Sequence, residues 1–227
     1  MPVRIYTTNT GADLSDAEAA LLADLVARYG RAVSLAPSFA ELDLCRHDAA
    51  VAGASLGVDY KTPASWLRSL WELMGDGRSF VGNMQRQMLF SDMIARRDDT
   101  DLQPLSRSQG TVRMLARMAR DVLPGVAGTG AERCRGDVCR PDPKSDAEAR
   151  VFELLSAYAS GLDRRDMVEP CEAADLMAEV LADGLPACAR AVCVRGITSF
   201  THGLLELLSA VANNGGEVVV LLAREQA

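Results

Sequence analysis

The chain has 227 residues and is 48% hydrophobic, which excludes a disordered segment and fits one large domain or two small ones with a core. Its net charge of −7 excludes a non-specific polyanion coat while leaving room for a local basic groove. No apolar run reaches the roughly 18 residues of a membrane span, the opening MPVRIYTTNTG lacks the apolar core of a signal peptide, and the six irregularly spaced cysteines are expected as free thiols in a reducing cytoplasm.

Pro2 to Tyr6 reads as a strand and Thr7 to Asp13 as a polar loop. Ser15 with Glu18 predicts a capping box that opens a helix with Leu14, Leu21, Leu22, Leu25 and Val26 inward, stopped at Gly30. Ala32 to Ala36 is the next strand. Pro37 turns the chain, and Ser38 with Glu41 caps a helix through about Ala52. Gly57 to Lys61 reads as a strand, and Thr62 caps a helix with Pro63 at its first position and Trp66, Leu67, Leu70, Trp71 and Met74 on one face. This β-α-β-α-β-α alternation predicts an α/β wound sheet.

The middle of the chain differs. Asn83 to Arg97, Ser108 to Val122, a helix opened by Ser145 and Glu148, and Pro170 to Leu181 all read as helices, with no strand expected between about Asn83 and Leu185. Pro124 to Ser145 mixes Gly, Pro and charge without period and reads as a loop. From Met84 to Ser145 the net charge is +3, against −10 for the rest. Ala191 to Val194 is a buried-type strand broken by Arg195 and Gly196. Thr201 caps a helix carrying Leu204, Leu205, Leu208, Val211 and Ala212, Asn213 to Gly216 stop it, and Glu217 to Leu222 is a second strand. Such a unit is a right-handed βαβ crossover in a parallel sheet. With no helix after the last strand, the chain is expected to be part of something larger. The expected division is residues 1–82 and 186–227 as one α/β domain, interrupted by an all-helical insertion at 83–185.

Phosphate chemistry is testable at the first loop. TTNTGADLSD has one glycine and no lysine, and the lysines Lys61 and Lys144 do not follow a glycine, so a Walker A loop is absent. A GxGxxG fingerprint is absent too. The strand end at Val194, where an ATPase places a magnesium-holding acid, carries Arg195-Gly196, and a cation there opposes metal binding.

The order of strand, would-be phosphate loop, VSLAPSFAE, VDYKTPASWLRSLW, helical insertion and VCVRGITSFTHGLLELLSAV resembles the N-terminal part of superfamily 1 (UvrD-like) helicases. It is closest in pattern to the inactivated helicase domain in the B subunit of AddAB/RexAB-type helicase–nucleases. The resemblance implies a P-loop-NTPase-like parallel sheet with helices on both faces. It also implies a non-catalytic scaffold with no cofactor, whose partners are single-stranded or duplex-end DNA and an AddA-type subunit. Thr8, Asn9, Gly11, Arg195 and Gly196 then fall at degenerate nucleotide-site positions. Ser38 and Phe39, and Thr62 with Trp66, fall near loops that touch single-stranded DNA in active relatives.

Each of these positions has a plainer reading. Ser38 and Thr62 are also ordinary caps, although a helix N-terminus attracts phosphate. Trp66 and Trp71 sit on an apolar stripe, which favours core packing over base stacking. Arg113, Arg117 and Arg120 share a helix face and either track a nucleic-acid backbone or form a solvated face. Met84, Met88, Met93, Met114 and Met118 at helical spacing are expected mostly in the core. Cys134 and Cys139 are spaced C-x4-C without further ligands, which speaks against zinc. His202 belongs near a helix start. Two rival classes remain: an α/β enzyme or small-ligand binder using Thr7, Thr8, Asn9, Ser38, Thr198 and Ser199 at the strand ends, and a docking module without DNA binding.

Overall fold

The computed structural model describes residues 3–8, 11–53, 56–96, 108–128 and 141–223. They form two compact units, Met1–Met74 with Met177–Ala227, and Gly75–Leu176.

The first unit is α/β. Its strands are β1 (Val3–Thr8), β2 (Ala32–Leu35), β3 (Val58–Lys61), β6 (Ala191–Arg195) and β7 (Glu217–Ala223), in the order β1-β7-β6-β2-β3 with every pairing parallel. Helix α1 (Gly11–Tyr29) follows β1, α2 (Phe39–Val51) follows β2, α3 (Pro63–Met74) follows β3, and α8 (His202–Asn213) joins β6 to β7. Side-chain alternation sorts the sheet into two faces. Ala32, Ala191, Cys193, Val219 and Leu221 share a core cluster with Leu22 and Leu25 of α1. The intervening Val33, Leu35, Val192, Val194 and Val218 are buried as well, so the central strands are apolar on both sides.

Local chemistry explains most helix starts. Ser38 Oγ accepts from Glu41 N at 3.3 Å, and Thr201 Oγ1 accepts from Leu204 N at 3.3 Å. Thr62 and Ser65 cap α3 reciprocally: Thr62 Oγ1 accepts from Ser65 N at 3.2 Å, and Ser65 Oγ accepts from Thr62 N at 2.9 Å. The start of α1 departs from expectation. β1 extends to Thr8 and α1 begins at Gly11, so Ser15 and Glu18 lie inside the helix rather than at its start.

The second unit contains β4 (Ser79–Phe80), α4 (Asn83–Ala95), α5 (Gln109–Ala127), α6 (Asp146–Asp163) and β5 (Met167–Val168), and α7 (Pro170–Asp183) carries the chain from it into the first unit. β4 and β5 pair in parallel. The expectation of an all-helical, strand-free middle is therefore corrected. This pairing also places Ser79 and Phe80 with the second unit, earlier in the chain than the joint expected at residue 82. Phe90, Ile94, Leu115, Ala119, Leu123, Leu155 and Tyr158 build its core, with the Phe90 and Tyr158 rings stacked at 4.3 Å. Beneath them Glu169 is fully buried and held by Arg86 Nε at 2.6 Å, Arg86 Nη2 at 2.7 Å and Tyr158 Oη at 2.7 Å. α5 runs past the expected end at Val122 and tolerates Pro124 within its last turn. Gly128, at φ +69°, stops it by donating to Pro124 O.

Among the described residues no helix is long and apolar enough to cross a membrane.

Candidate functional site

In an open parallel sheet, ligand crevices open at the carboxyl ends of strands whose onward connections diverge. β2 leads to β3 on one side of the sheet and β6 leads to β7 on the other, so the candidate crevice lies at the ends of β2 and β6. Its residues are Arg195, Gly196, Pro37 and Ser38, with the elements packed beside them.

The register decides what fills it. Arg195 follows Ala191 and Cys193 in alternation, so it faces α1. Ser34 follows Ala32 onto the same face. On α1, Glu18 precedes Leu22 and Leu25 by four and seven positions and so occupies the buried stripe. The three meet. Arg195 Nη1 donates to Glu18 Oε2 at 2.5 Å, and Ser34 Oγ donates to Glu18 Oε1 at 2.7 Å. Arg195 Nη2 also lies 3.7 Å from Asp48 Oδ2 of α2. Glu18 is 2% exposed, Ser34 0% and Arg195 9%.

Burial alone would lower the Arg195 pKa, but the Glu18 hydrogen bond and charge outweigh it and hold the guanidinium firmly protonated. The same environment acts on nearby thiols. Burial, reinforced by Glu18, pushes Cys45 up to about 11, and fully buried Cys193 lies well above its ordinary value. In the second unit burial pushes Cys171 up to about 12. None of the three is a thiolate nucleophile at neutral pH.

Gly196 has φ +68°, and a Cβ there would stand 3.7 Å from Glu41 Oε2. Two carboxylates, Glu18 and Asp48, therefore flank the Arg195 guanidinium, and Glu41 stands beside Gly196 at the same edge. Two carboxylates against one guanidinium disfavour a triphosphate beside it.

Thr8 ends β1 and Gly11 begins α1, whereas Asn9 lies outside the described residues, as do Cys134 and Cys139. Trp66 is 1% exposed and Thr62 is buried, so both serve the core and the α3 cap, and the stacking and phosphate roles considered for them are not available. Ser38 is exposed beside Phe39, which is 71% exposed, but Glu41 occupies the first turn of α2. His202 is exposed at the start of α8, 3.8 Å from Glu206.

Arg113, Arg117 and Arg120 are all exposed on α5. Arg113 donates to Gln109 Oε1 at 3.4 Å, Arg120 donates to Asp121 Oδ1 at 2.8 Å, and Arg117 lies 3.8 Å from Asp121 Oδ2. Among the described residues one carboxylate thus pairs with this row of guanidiniums. Met114 on the same helix and Met84 and Met88 on α4 are exposed rather than in the core; only Met93 and Met118 pack against it.

No protein-family model and no curated protein matches the chain.

Glu18 is the residue that pattern reading missed. Ser15 three positions before it makes Glu18 look like the partner of a helix cap. The usable signal was its register with Leu22 and Leu25, together with the alternation that turns Arg195 toward α1.

Proposed function

We propose that this chain is a non-catalytic, helicase-like module of a DNA double-strand-break-processing subunit, with a P-loop-NTPase-like sheet that has lost nucleotide chemistry. In this reading it binds DNA, a partner motor subunit, or both. The observation that carries the reading is the Arg195–Glu18–Ser34 network. It fills the end of β6 with an internally neutralised cation where an ATPase needs a metal-holding acid. The absence of a glycine-lysine phosphate loop after β1 points the same way.

The DNA-contacting role belongs to the basic middle of the chain rather than to the acidic strand ends. Arg113, Arg117 and Arg120 present exposed guanidiniums on one helix face with a single carboxylate among them. Exposed Met84 and Met88 supply adaptable apolar surface suited to a protein partner.

The test is fluorescence anisotropy of a labelled single-stranded oligonucleotide with the intact chain, titrated with salt in the presence and absence of MgATP. The reading predicts salt-sensitive binding that MgATP leaves unchanged and that weakens when Arg113, Arg117 and Arg120 become Gln. Binding that depends on MgATP would overturn it. Absence of binding at low salt would remove the DNA arm and leave subunit docking.

A further inference from the structure

The second unit carries a groove of about 140 Å³ between α4 and α6, floored by Leu89, Met93 and Ala157. Its rim is basic: Arg96 from α4, and Arg164 and Arg165 from the end of α6. Asp92 is the one carboxylate lining it among the described residues, and it accepts from Arg96 Nε at 2.8 Å. We infer that this groove is a phosphate-binding site, in which Arg164 and Arg165 clamp one phosphate group over an apolar floor.

Three observations carry this. First, both guanidiniums stand over the same turn of α6: a Cβ on Gly161 would lie 3.7 Å from Arg165 Nη1 and 3.9 Å from Arg164 Nη2, and all three residues line the groove. Second, neither guanidinium has an ion-pair partner among the described carboxylates. Asp163, their sequence neighbour, instead lies 3.4 Å from Arg78 Nη1. Among the described residues the one lining carboxylate, Asp92, is taken by Arg96, which leaves Arg164 and Arg165 to offer an anion the guanidinium fork that suits phosphate. Third, the helix end fixes the clamp without neutralising it. Arg165 Nη1 donates to Gly161 O at 2.9 Å, which anchors one arm of an otherwise exposed side chain. The C-terminal dipole accounts for a cation here, but it is a partial charge of about one half and does not balance two guanidiniums.

The apolar floor favours a phosphate attached to an organic group over a bare ion. A nucleic-acid backbone and a free nucleotide share this chemistry. The backbone source rests on the proposed DNA-binding reading; the phosphate site itself does not.

The experiment has two arms on the intact chain: anisotropy with a labelled single-stranded oligonucleotide, and calorimetric titration with pyrophosphate. Both compare the unaltered chain with the double variant Arg164→Gln, Arg165→Gln. A second double variant, Arg164→Lys, Arg165→Lys, keeps the charge, and thermal melting checks the fold of each. The expected result is at least tenfold weaker oligonucleotide binding in the Gln variant and a salt slope shallower by roughly 1.4, two single-strand contacts' worth. The Lys variant, which keeps the charge and loses the bidentate fork, should fall between the unaltered chain and the Gln variant. If the unaltered chain ignores the oligonucleotide but binds pyrophosphate, and the Gln variant does not, the site stands and the DNA reading fails. Oligonucleotide binding unchanged in a folded Gln variant, with no pyrophosphate binding, would overturn the site and leave the DNA reading intact. Binding of neither probe would overturn both.

Discussion

A single salt bridge sets the character of the strand-end crevice. Glu18 and Arg195 are both buried, so each depends on the other for the solvation it has lost. Removing one partner alone, as in Glu18→Ala or Arg195→Ala, should cost roughly 3–5 kcal/mol in urea unfolding. Replacing both, as Glu18→Leu with Arg195→Met, should recover much of that loss, because no buried charge is then left unpaired. A second carboxylate, Glu217 at the start of β7, is held by Arg4 and Arg28 and receives a 3.2 Å hydrogen bond from Tyr29 Oη. Burial would raise its pKa, but Arg28 and Arg4 outweigh burial and lower it below its ordinary 4.5. A depressed carboxyl contributes stability that is fully present above its ordinary pKa and is lost as pH falls through the folded value. Stability should therefore decline from about pH 5 downward, and Glu217→Gln should flatten that limb of a pH–stability profile. Neither pair stood out in the sequence, because an ion pair between residues 18 and 195 leaves no local pattern. Only the separate periodicities of α1 and β6 imply it.

The crossover from β6 through α8 to β7 was legible as an element because several local rules agree on it. A β-branched run, a Thr cap, a leucine stripe and an Asn-Gly stop each point the same way. Thr201→Ala should cost about 1 kcal/mol, measured by chemical denaturation. The turn after α8 is tighter than its composition revealed. Gly215 takes φ +81° with open space around it, whereas a Cβ on Gly216 would stand 2.6 Å from Val211 Cγ1 and 2.8 Å from Val211 O. Gly216→Ala should therefore destabilise by roughly 1–3 kcal/mol, against about 1 kcal/mol or less for Gly215→Asn. Elements without periodicity were illegible. β4 and β5 have two residues each, too few to show alternation, and they are specified by pairing across a long separation. α5 outran its expected end because Pro124 reads as a breaker, yet the packing of Leu123, Val126 and Ala127 carries the last turn past it.

At the scale of the whole chain, charge and chemistry divide between the two units. The α/β unit gathers Glu18, Glu41 and Asp48 around its strand-end crevice, while the second unit carries the exposed guanidiniums of α5 and the Arg164–Arg165 clamp. The wound α/β pattern was readable from alternation of strands and amphipathic helices. The strand order β1-β7-β6-β2-β3 was not, because order is fixed by which apolar faces meet in three dimensions. On the proposed reading the strand-end crevice has no nucleotide function. The most direct test is calorimetric titration of the intact chain with MgATP, paired with the variant Arg195→Ala to detect any binding at the crevice. No MgATP binding at the crevice in either protein is the predicted result. Micromolar MgATP binding that Arg195→Ala changes, or any ATP turnover, would contradict it.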